Sequence, residues 1–365
     1  MATTSLRNRL TSGNREEFRL PRQALLMSVP NALKPIKDPV DRALLWFLSE
    51  QRVAVGARDP DAAVLIDELE RVVRSGGKRL RPAFCYWGYR AAGGIPGEPI
   101  VRVAAALELF HTFALIHDDV MDEAETRRGA ETTRASFARA RGSGAYGTAM
   151  AILVGDLALV LGDQLFMESG FPADVLAAGF HRYTRMRVDV AAGQFLDLAG
   201  SGRPSDEERA RRISSLKSGG YTVEGPLQIG AILGGASEAI LSVLSGFGKR
   251  VGEAFQIRDD VASALGGGPD LAQGRPTFLL AAATARAEDR DRRFIEQCVG
   301  RTDLPASERD ELVAILVRSG AVTEAERLVA LLVDEALRVL TGAPIDPQVA
   351  GALEDLAGLI AGTKA

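Results

Sequence analysis

The chain has little of what would put it in several well-defined classes. Two cysteines, Cys85 and Cys298, stand far apart in 365 residues, and neither a disulfide framework nor a thiolate zinc site can be built from them. The net charge is only −4, so there is no basic excess to read as a nucleic-acid footprint. No uninterrupted apolar run reaches membrane-spanning length, and the N-terminal MATTSLRNRLTSGNREEFRL has no apolar core of the kind a signal peptide needs. Strand-like alternation is scarce. These absences lead to an expectation of a cytoplasmic protein with reduced thiols, no stable membrane insertion and no nucleic-acid partner.

What remains is ordinary globular material, 46% hydrophobic and 25% charged, enough for a substantial core. Apolar residues recur at helical spacing along most of its length. In DAAVLIDELERVV, residues Val64, Leu65, Leu69, Val72 and Val73 share one face. AERLVALLVDEALRVL repeats the pattern, with Thr323 and Glu326 spaced as a capping box at its start. Glycine- and proline-rich punctuation separates these stretches at 91–99, 201–208 and 266–270. GTAMAILVGDLALVLGDQLF is apolar nearly all round and is expected in the middle of a bundle. The pattern predicts an all-α fold, with one domain over 39–365. Before it, residues 1–38 carry Arg7, Arg9, Arg15, Arg19 and Arg22 and are expected to be a solvated, partly disordered arm.

Against this background LIHDDVMDEAETRRG, residues 115–129, stands out because its charges are sorted. Nothing breaks a helix from Pro99 to Met121, so Asp118, Asp119 and Asp122 fall at a helix C-terminal end. At 100° per residue Asp118 and Asp122 are ~40° apart, and His111 is ~20° from Asp118, two turns earlier. Carboxylates at that end oppose the helix dipole. A hard divalent ion such as Mg²⁺, shared with phosphate oxygens, would offset the cost. FQIRDDVASALG sets a second pair, Asp259 and Asp260, after another apolar helical stretch. Cations suited to anionic ligands follow in SGGKRLRP (Lys78, Arg79, Arg81), in Arg127 and Arg128, and in LKSGG (Lys217). Acids and bases sorted in this way suit a metal-bridged diphosphate on one side and direct cation contact on the other.

Five of these stretches occur in the order seen in the trans-isoprenyl diphosphate synthases, the polyprenyl synthetase family: GGKRLRP (76–82), HDDVMDEAETRRG (117–129), GQFLD (193–197), KSGGYT (217–222) and FQIRDD (255–260). The chain resembles that family from about Asp41 to its C-terminus. The resemblance implies an all-α isoprenoid-synthase fold around a deep central cavity, usually in a homodimer. It implies a prenyltransferase that joins an allylic diphosphate to isopentenyl diphosphate. Asp118, Asp122 and Asp259 would hold Mg²⁺, three ions with the bound diphosphate, supported by Asp119 and Asp260. Arg127 and Lys217 would touch the allylic diphosphate. Lys78, Arg81, His111 and Arg128 would bind isopentenyl diphosphate, with Gln194 in the Gly-Gln element and Gln256 at the reacting centre. The bulky–small pair Phe113 and Ala114, just upstream of the first motif, implies a product near twenty carbons: geranylgeranyl diphosphate first, farnesyl diphosphate next.

The sequence departs from the family in its second motif. Ser263 stands at the third acidic position, and the loop to Asp270 is short, without the usual loop lysine. Arg275 stands where a later lysine is expected. Two alternatives on the same fold therefore remain: a terpene cyclase-like enzyme that ionises a diphosphate, and a weakly active or non-catalytic subunit of a hetero-oligomeric synthase. A His-Asp phosphohydrolase built on His117 and Asp118 would have only His111 and His181 to complete its ligands.

Overall fold

The computed structural model describes residues 31–127, 129–203, 206–266, 270–301 and 303–362. Most of the arm, residues 1–30, lies outside them. The described chain is helix after helix: α1 (Lys37–Gly56), α2 (Val64–Arg74), α3 (Leu80–Ala91), α4 (Glu98–Met121), α5 (Thr133–Arg141), α6 (Gly144–Met167), α7 (Ala173–Gly200) and α8 (Glu207–Ser214). A π-helical segment (Ser215–Glu224) runs directly on into α9 (Gly225–Leu233). After it come α10 (Glu238–Leu265), α11 (Asp270–Gln273), α12 (Phe278–Arg286), α13 (Asp289–Cys298), α14 (Ala306–Arg318), α15 (Ala321–Leu340) and α16 (Pro347–Ala361). A two-residue hairpin, β1 (Thr126–Arg127) with β2 (Ala130–Glu131), is the one sheet among the described residues.

Local chemistry sets the helix ends. Thr132, Ser143, Asp206, Ser237, Thr277 and Asp346 each accept a backbone N–H in the first turn of α5, α6, α8, α10, α12 and α16, satisfying donors that have no partner within the helix. The expected capping box at Thr323 is not formed. Helix α15 starts three residues earlier, after Gly320 at φ 79°, so Thr323 lies inside the first turn. Packing also begins before residue 39: Ala32, Leu33 and Ile36 are buried, and Trp87 Nε1 donates to the Ala32 carbonyl at 2.8 Å.

Helix α4 lies along the core, packed most extensively on α6 and also on α3. An aromatic column crosses beside it. Phe166 stacks on Tyr183 at 5.1 Å, Tyr183 meets Phe110 edge-on at 5.9 Å, and Phe110 meets Tyr221 edge-on at 5.9 Å. Offset and edge-on contacts of this kind fix ring orientation as well as bury area. The helices on the other side of the core approach unusually closely. A Cβ at Gly230 of α9 would lie 1.9 Å from the Cys85 carbonyl oxygen of α3, and one at Gly88 would lie 2.1 Å from that of Leu227. Only glycine lets α3 and α9 meet backbone to backbone.

One expectation from sequence is qualified here and another corrected. Helices α4 and α6 are both long and apolar enough to cross a membrane by length and composition. An interrupted run passes that test where a continuous one is missing, because a few polar residues in twenty hardly change the average. Helix α6 is also not central. Its inner face packs on α4, while Ile152, Leu153, Val160 and Met167 are exposed, Val160 at 61%.

These crossings give a direct stability prediction. Gly230→Ala should cost about 1–3 kcal/mol through overpacking, whereas Gly351→Ala in α16, with nothing within 4 Å of the added methyl, should gain about 0.4–1 kcal/mol. Thermal unfolding followed by circular dichroism compares the two, and equal melting temperatures would remove the close-contact argument.

Candidate active site

A cavity of about 1860 Å³ opens between α4, α7, the π segment and α10. Apolar side chains, among them Phe113, Leu159 and Val188, form part of its wall, and acids and bases crowd another part. One unbroken helix carries both characters. Phe113 precedes Asp118 by five residues on α4, about 7 Å along the axis.

Helix α4 ends as the sequence predicts, with Asp118 and Asp119 in its last turn and Asp122 as its C-cap. The hairpin after it turns Arg127 back onto that end, where Nε donates to Asp119 at 2.7 Å and Nη2 to Asp118 at 3.1 Å. Burial pushes the Asp119 carboxyl above the usual range, although Arg127 pulls the other way. Gln194 of α7 donates to the second Asp118 oxygen at 3.2 Å. Arg275 donates to Asp122. The unfavourable placement of three acids at a negative helix end is thus offset by cations and donors reaching in from other elements.

The Gly-Gln and Lys-Thr elements meet because of a glycine. A Cβ at Gly193 would fall 2.3 Å from the Lys217 amide nitrogen, so α7 and the π segment touch there backbone to backbone. At the end of the π segment Pro226 has no N–H to close an ordinary turn onto Thr222, and its ring crowds that carbonyl. Within this segment Lys217 Nζ donates to Asp197 at 2.6 Å and lies 3.9 Å from Asp118. Burial disfavours the ammonium, but Asp197 and Asp118 outweigh it and raise its pKa above the ordinary lysine value.

The GGKRLRP stretch divides into structural and cavity-facing parts. Arg79, in the left-handed region at φ 55°, is buried and bonded to Asp41 at 2.7 Å, to Glu108 at 2.6 Å and to the Val73 carbonyl at 3.0 Å. Its charge is consumed in the core. Lys78 is exposed at the cavity rim. Arg81 is buried, with Nη2 2.8 Å from Thr222 Oγ1 and its guanidinium carbon 4.2 Å from the centre of the Tyr221 ring. Its Nε has no partner among the described residues. His111 Nδ1 lies 3.4 Å from the Tyr221 hydroxyl. Arg81 and His111 therefore share one wall through Tyr221, and Lys78 lines the same cavity. Arg128 lies outside the described residues.

Asp259 and Asp260 face the same cavity from α10, but α10 runs on to Leu265, so they lie inside its last two turns rather than at its end. Asp260 is buried and accepts from Gln256 at 2.7 Å. Asp118, Asp122 and Asp259 offer hard oxygen donors to one space, a set that fits Mg²⁺. Among the described residues, however, no three such groups already converge on a common point. His117 belongs elsewhere: its Nε2 lies 3.2 Å from the Ile152 carbonyl oxygen, and its ring fills the space a Cβ at Gly155 would need. That packing argues against a His-Asp ligand pair.

Sequence reasoning gave no role to Asp197 or Tyr221, although both lie inside quoted motifs. Asp197 follows Gln194 by three residues, which put it on the same helical face; Tyr221 follows Lys217 by four.

With this geometry described, similarity to known proteins becomes informative. The chain is 30% identical over 292 residues to a short chain isoprenyl diphosphate synthase of Methanothermobacter thermautotrophicus, covering 78% of this chain and 86% of that one. It is 30% identical over 341 residues to heptaprenyl diphosphate synthase component 2 of Geobacillus stearothermophilus, covering 87% and 97%. A crystal structure of geranylgeranyl pyrophosphate synthase from Corynebacterium glutamicum, complexed with isoprenyl diphosphate and magnesium, superposes with a TM-score of 0.83 at 29% identity over 92% of this chain and 99% of that one. Residues 63–316 match the polyprenyl synthetase family model. The chain belongs to the polyprenyl synthetase family.

Proposed function

We propose that this chain is a Mg²⁺-dependent prenyltransferase, one catalytic domain that condenses an allylic diphosphate with isopentenyl diphosphate into a short-chain trans-prenyl diphosphate. One observation carries the reading: the aspartates of α4 and α10, with Arg127 and Lys217 between elements, open onto a single cavity that also has an apolar part with Phe113, Leu159 and Val188. The names of its relatives support the same reaction class.

Asp118, Asp122 and Asp259 would hold the metal, with Asp119 and Asp260 supporting, and bound Mg²⁺ supplies positive charge to the departing diphosphate. Arg127 and Lys217 are positioned to take up the same charge as the allylic carbon–oxygen bond breaks and its electron pair leaves with oxygen. Lys78, Arg81 and His111, with Arg128, orient the second diphosphate so that its alkene faces the allylic cation. Arg81 Nε is a donor available for that purpose. Phe113, Leu159 and Val188 keep water from the cation. The closing proton goes to the departed diphosphate, a base that the reaction itself brings.

Phe113 and Ala114 on the α4 wall support a product near twenty carbons, geranylgeranyl before farnesyl diphosphate. The exposed apolar face of α6, with Ile152, Leu153, Val160 and Met167, supports a homodimer joined through this helix, since single chains seldom leave such a face uncovered. Two buried free thiols support a reducing, cytoplasmic setting.

Purified protein incubated with Mg²⁺, isopentenyl diphosphate and each allylic diphosphate should give one dominant prenyl alcohol after dephosphorylation, sized by mass spectrometry. A cyclic hydrocarbon formed without isopentenyl diphosphate would indicate a cyclase, and no product from any starter would favour a subunit that needs a partner. Asp118→Asn should lower kcat by at least about 100-fold with an unchanged circular dichroism spectrum, and Phe113→Ala should shift the product to longer chains. Val160→Asp should convert a dimer to monomer in sedimentation velocity; an unchanged sedimentation coefficient would show that α6 is not the interface.

A further inference from the structure

Arg275 lies outside both aspartate motifs, yet its guanidinium joins the first of them to the rest of the site. Only 5% of the residue is exposed. Nη1 donates to Asp197 at 3.1 Å, Nε to Gln273 Oε1 at 3.0 Å, and Nη2 to Asp122. Asp122 is at once an acid, a helix C-cap and one of the carboxylates assigned above to the metal. Without a cation beside it, its charge would add to the negative end of α4.

The backbone that carries Arg275 is pinned on both sides. The Gly274 carbonyl accepts from the Gly202 amide at 3.0 Å, and Gly274 holds φ 63°. A Cβ there would come within 2.6 Å of Val299 Cγ1 and 2.8 Å of the Gly300 nitrogen. On the other side the Thr277 amide donates to the Arg275 carbonyl at 2.8 Å, and the Thr277 hydroxyl caps α12. The main chain here is fixed, so only the outer end of the side chain is available to change partner. Its two ends are also unequal. Both carboxylates line the cavity, but Asp197 is also held by Lys217, and Asp122 is the more exposed of the two.

We propose that Arg275 is an exchangeable counter-ion: it neutralises Asp122 in the metal-free site and gives that carboxylate up only when diphosphate supplies a new partner. The inference rests on the reading of Asp122 as a metal ligand. A divalent ion at Asp122 and a guanidinium still bonded to the same carboxylate would be two cations competing for one anion, with mutual repulsion across it. Entry of the metal alone leaves the guanidinium buried and partly unpaired, which is costly. Diphosphate oxygens remove that cost, because charge-assisted contacts to phosphate are geometrically suited to arginine. Metal and diphosphate therefore bind cooperatively, and the coupling passes through this one side chain. Arg275 acts as a positioning residue that sets the order in which the site fills.

The test measures Mn²⁺ binding by electron paramagnetic resonance, with and without inorganic pyrophosphate, on the full chain and on Arg275→Gln, Arg275→Lys and Asp118→Asn. With Mn²⁺ alone, Arg275→Gln should bind roughly tenfold tighter than the unchanged protein, the equivalent of one charge-assisted hydrogen bond removed. The gain on adding pyrophosphate should shrink by a similar factor. Arg275→Lys, which cannot span both carboxylates, should move in the same direction, and it carries the test if circular dichroism finds Arg275→Gln unfolded. If the unchanged protein binds Mn²⁺ with pyrophosphate, Asp118→Asn does not, and both Arg275 variants bind Mn²⁺ alone no more tightly than the unchanged protein, the exchange is overturned while the metal reading stands. If the unchanged protein binds no Mn²⁺ even with pyrophosphate, both fall together.

Discussion

One buried carboxylate organises the polar half of this molecule. Asp197 Oδ2 accepts from Lys217 and from Arg275, and through them ties α7 to the π segment, to the turn before α12 and, by way of Asp122, to the end of α4. An ionised carboxylate removed from water is expensive unless its partners are close and well oriented. Here the partners are themselves fixed by backbone contacts that tolerate no side chain, at Gly193 against Lys217 and at Gly274 against Gly300. The glycines are therefore part of the electrostatics: they bring two cations within bonding distance of one acid.

Much of this could be read before any fold was known, because it is written in local period and order. The span of α4 and its acidic end follow from helix geometry and from charges sorted within fifteen residues, whereas the return of Arg127 to that end depends on the hairpin. The convergence of α4 and α10 on one cavity was legible only as an expectation from motif order. What could not be read depends on contacts distant in sequence. The burial of Arg79 is set by Asp41 and Glu108, 38 and 29 residues away, and the cluster of cations around it gives no hint which one is consumed. The hairpin at 126–131 is too short to have a period. The start of α15 was misplaced because Gly320 at positive φ began the helix before the apparent capping box. Helix α6 was assigned to the interior because apolar composition reports burial of some kind without saying whether this chain alone provides it.

The apolar and ionic halves of the cavity are not separate constructions. Phe110 of α4 belongs to the aromatic column that ends at Tyr221, and Tyr221 in turn lies under the Arg81 guanidinium and beside His111. Ring packing in the core thereby orients the cation that faces the cavity, and a change deep among Phe166, Phe180 and Tyr183 would be felt at the Arg81 wall without any direct contact.

A wall made from one unbroken α-helix behaves as a ruler with coarse marks. Moving a bulky group by one residue along α4 shifts it about 1.5 Å but swings it about 100° to another part of the wall; a shift of three or four residues returns it to nearly the same face about 5 Å deeper or shallower. On any one face, depth below Asp118 is therefore available in discrete steps. A lineage carrying this helix would change the depth of that face by jumps of a whole helical turn, through single substitutions at positions such as 110 and 114, rather than by gradual adjustment.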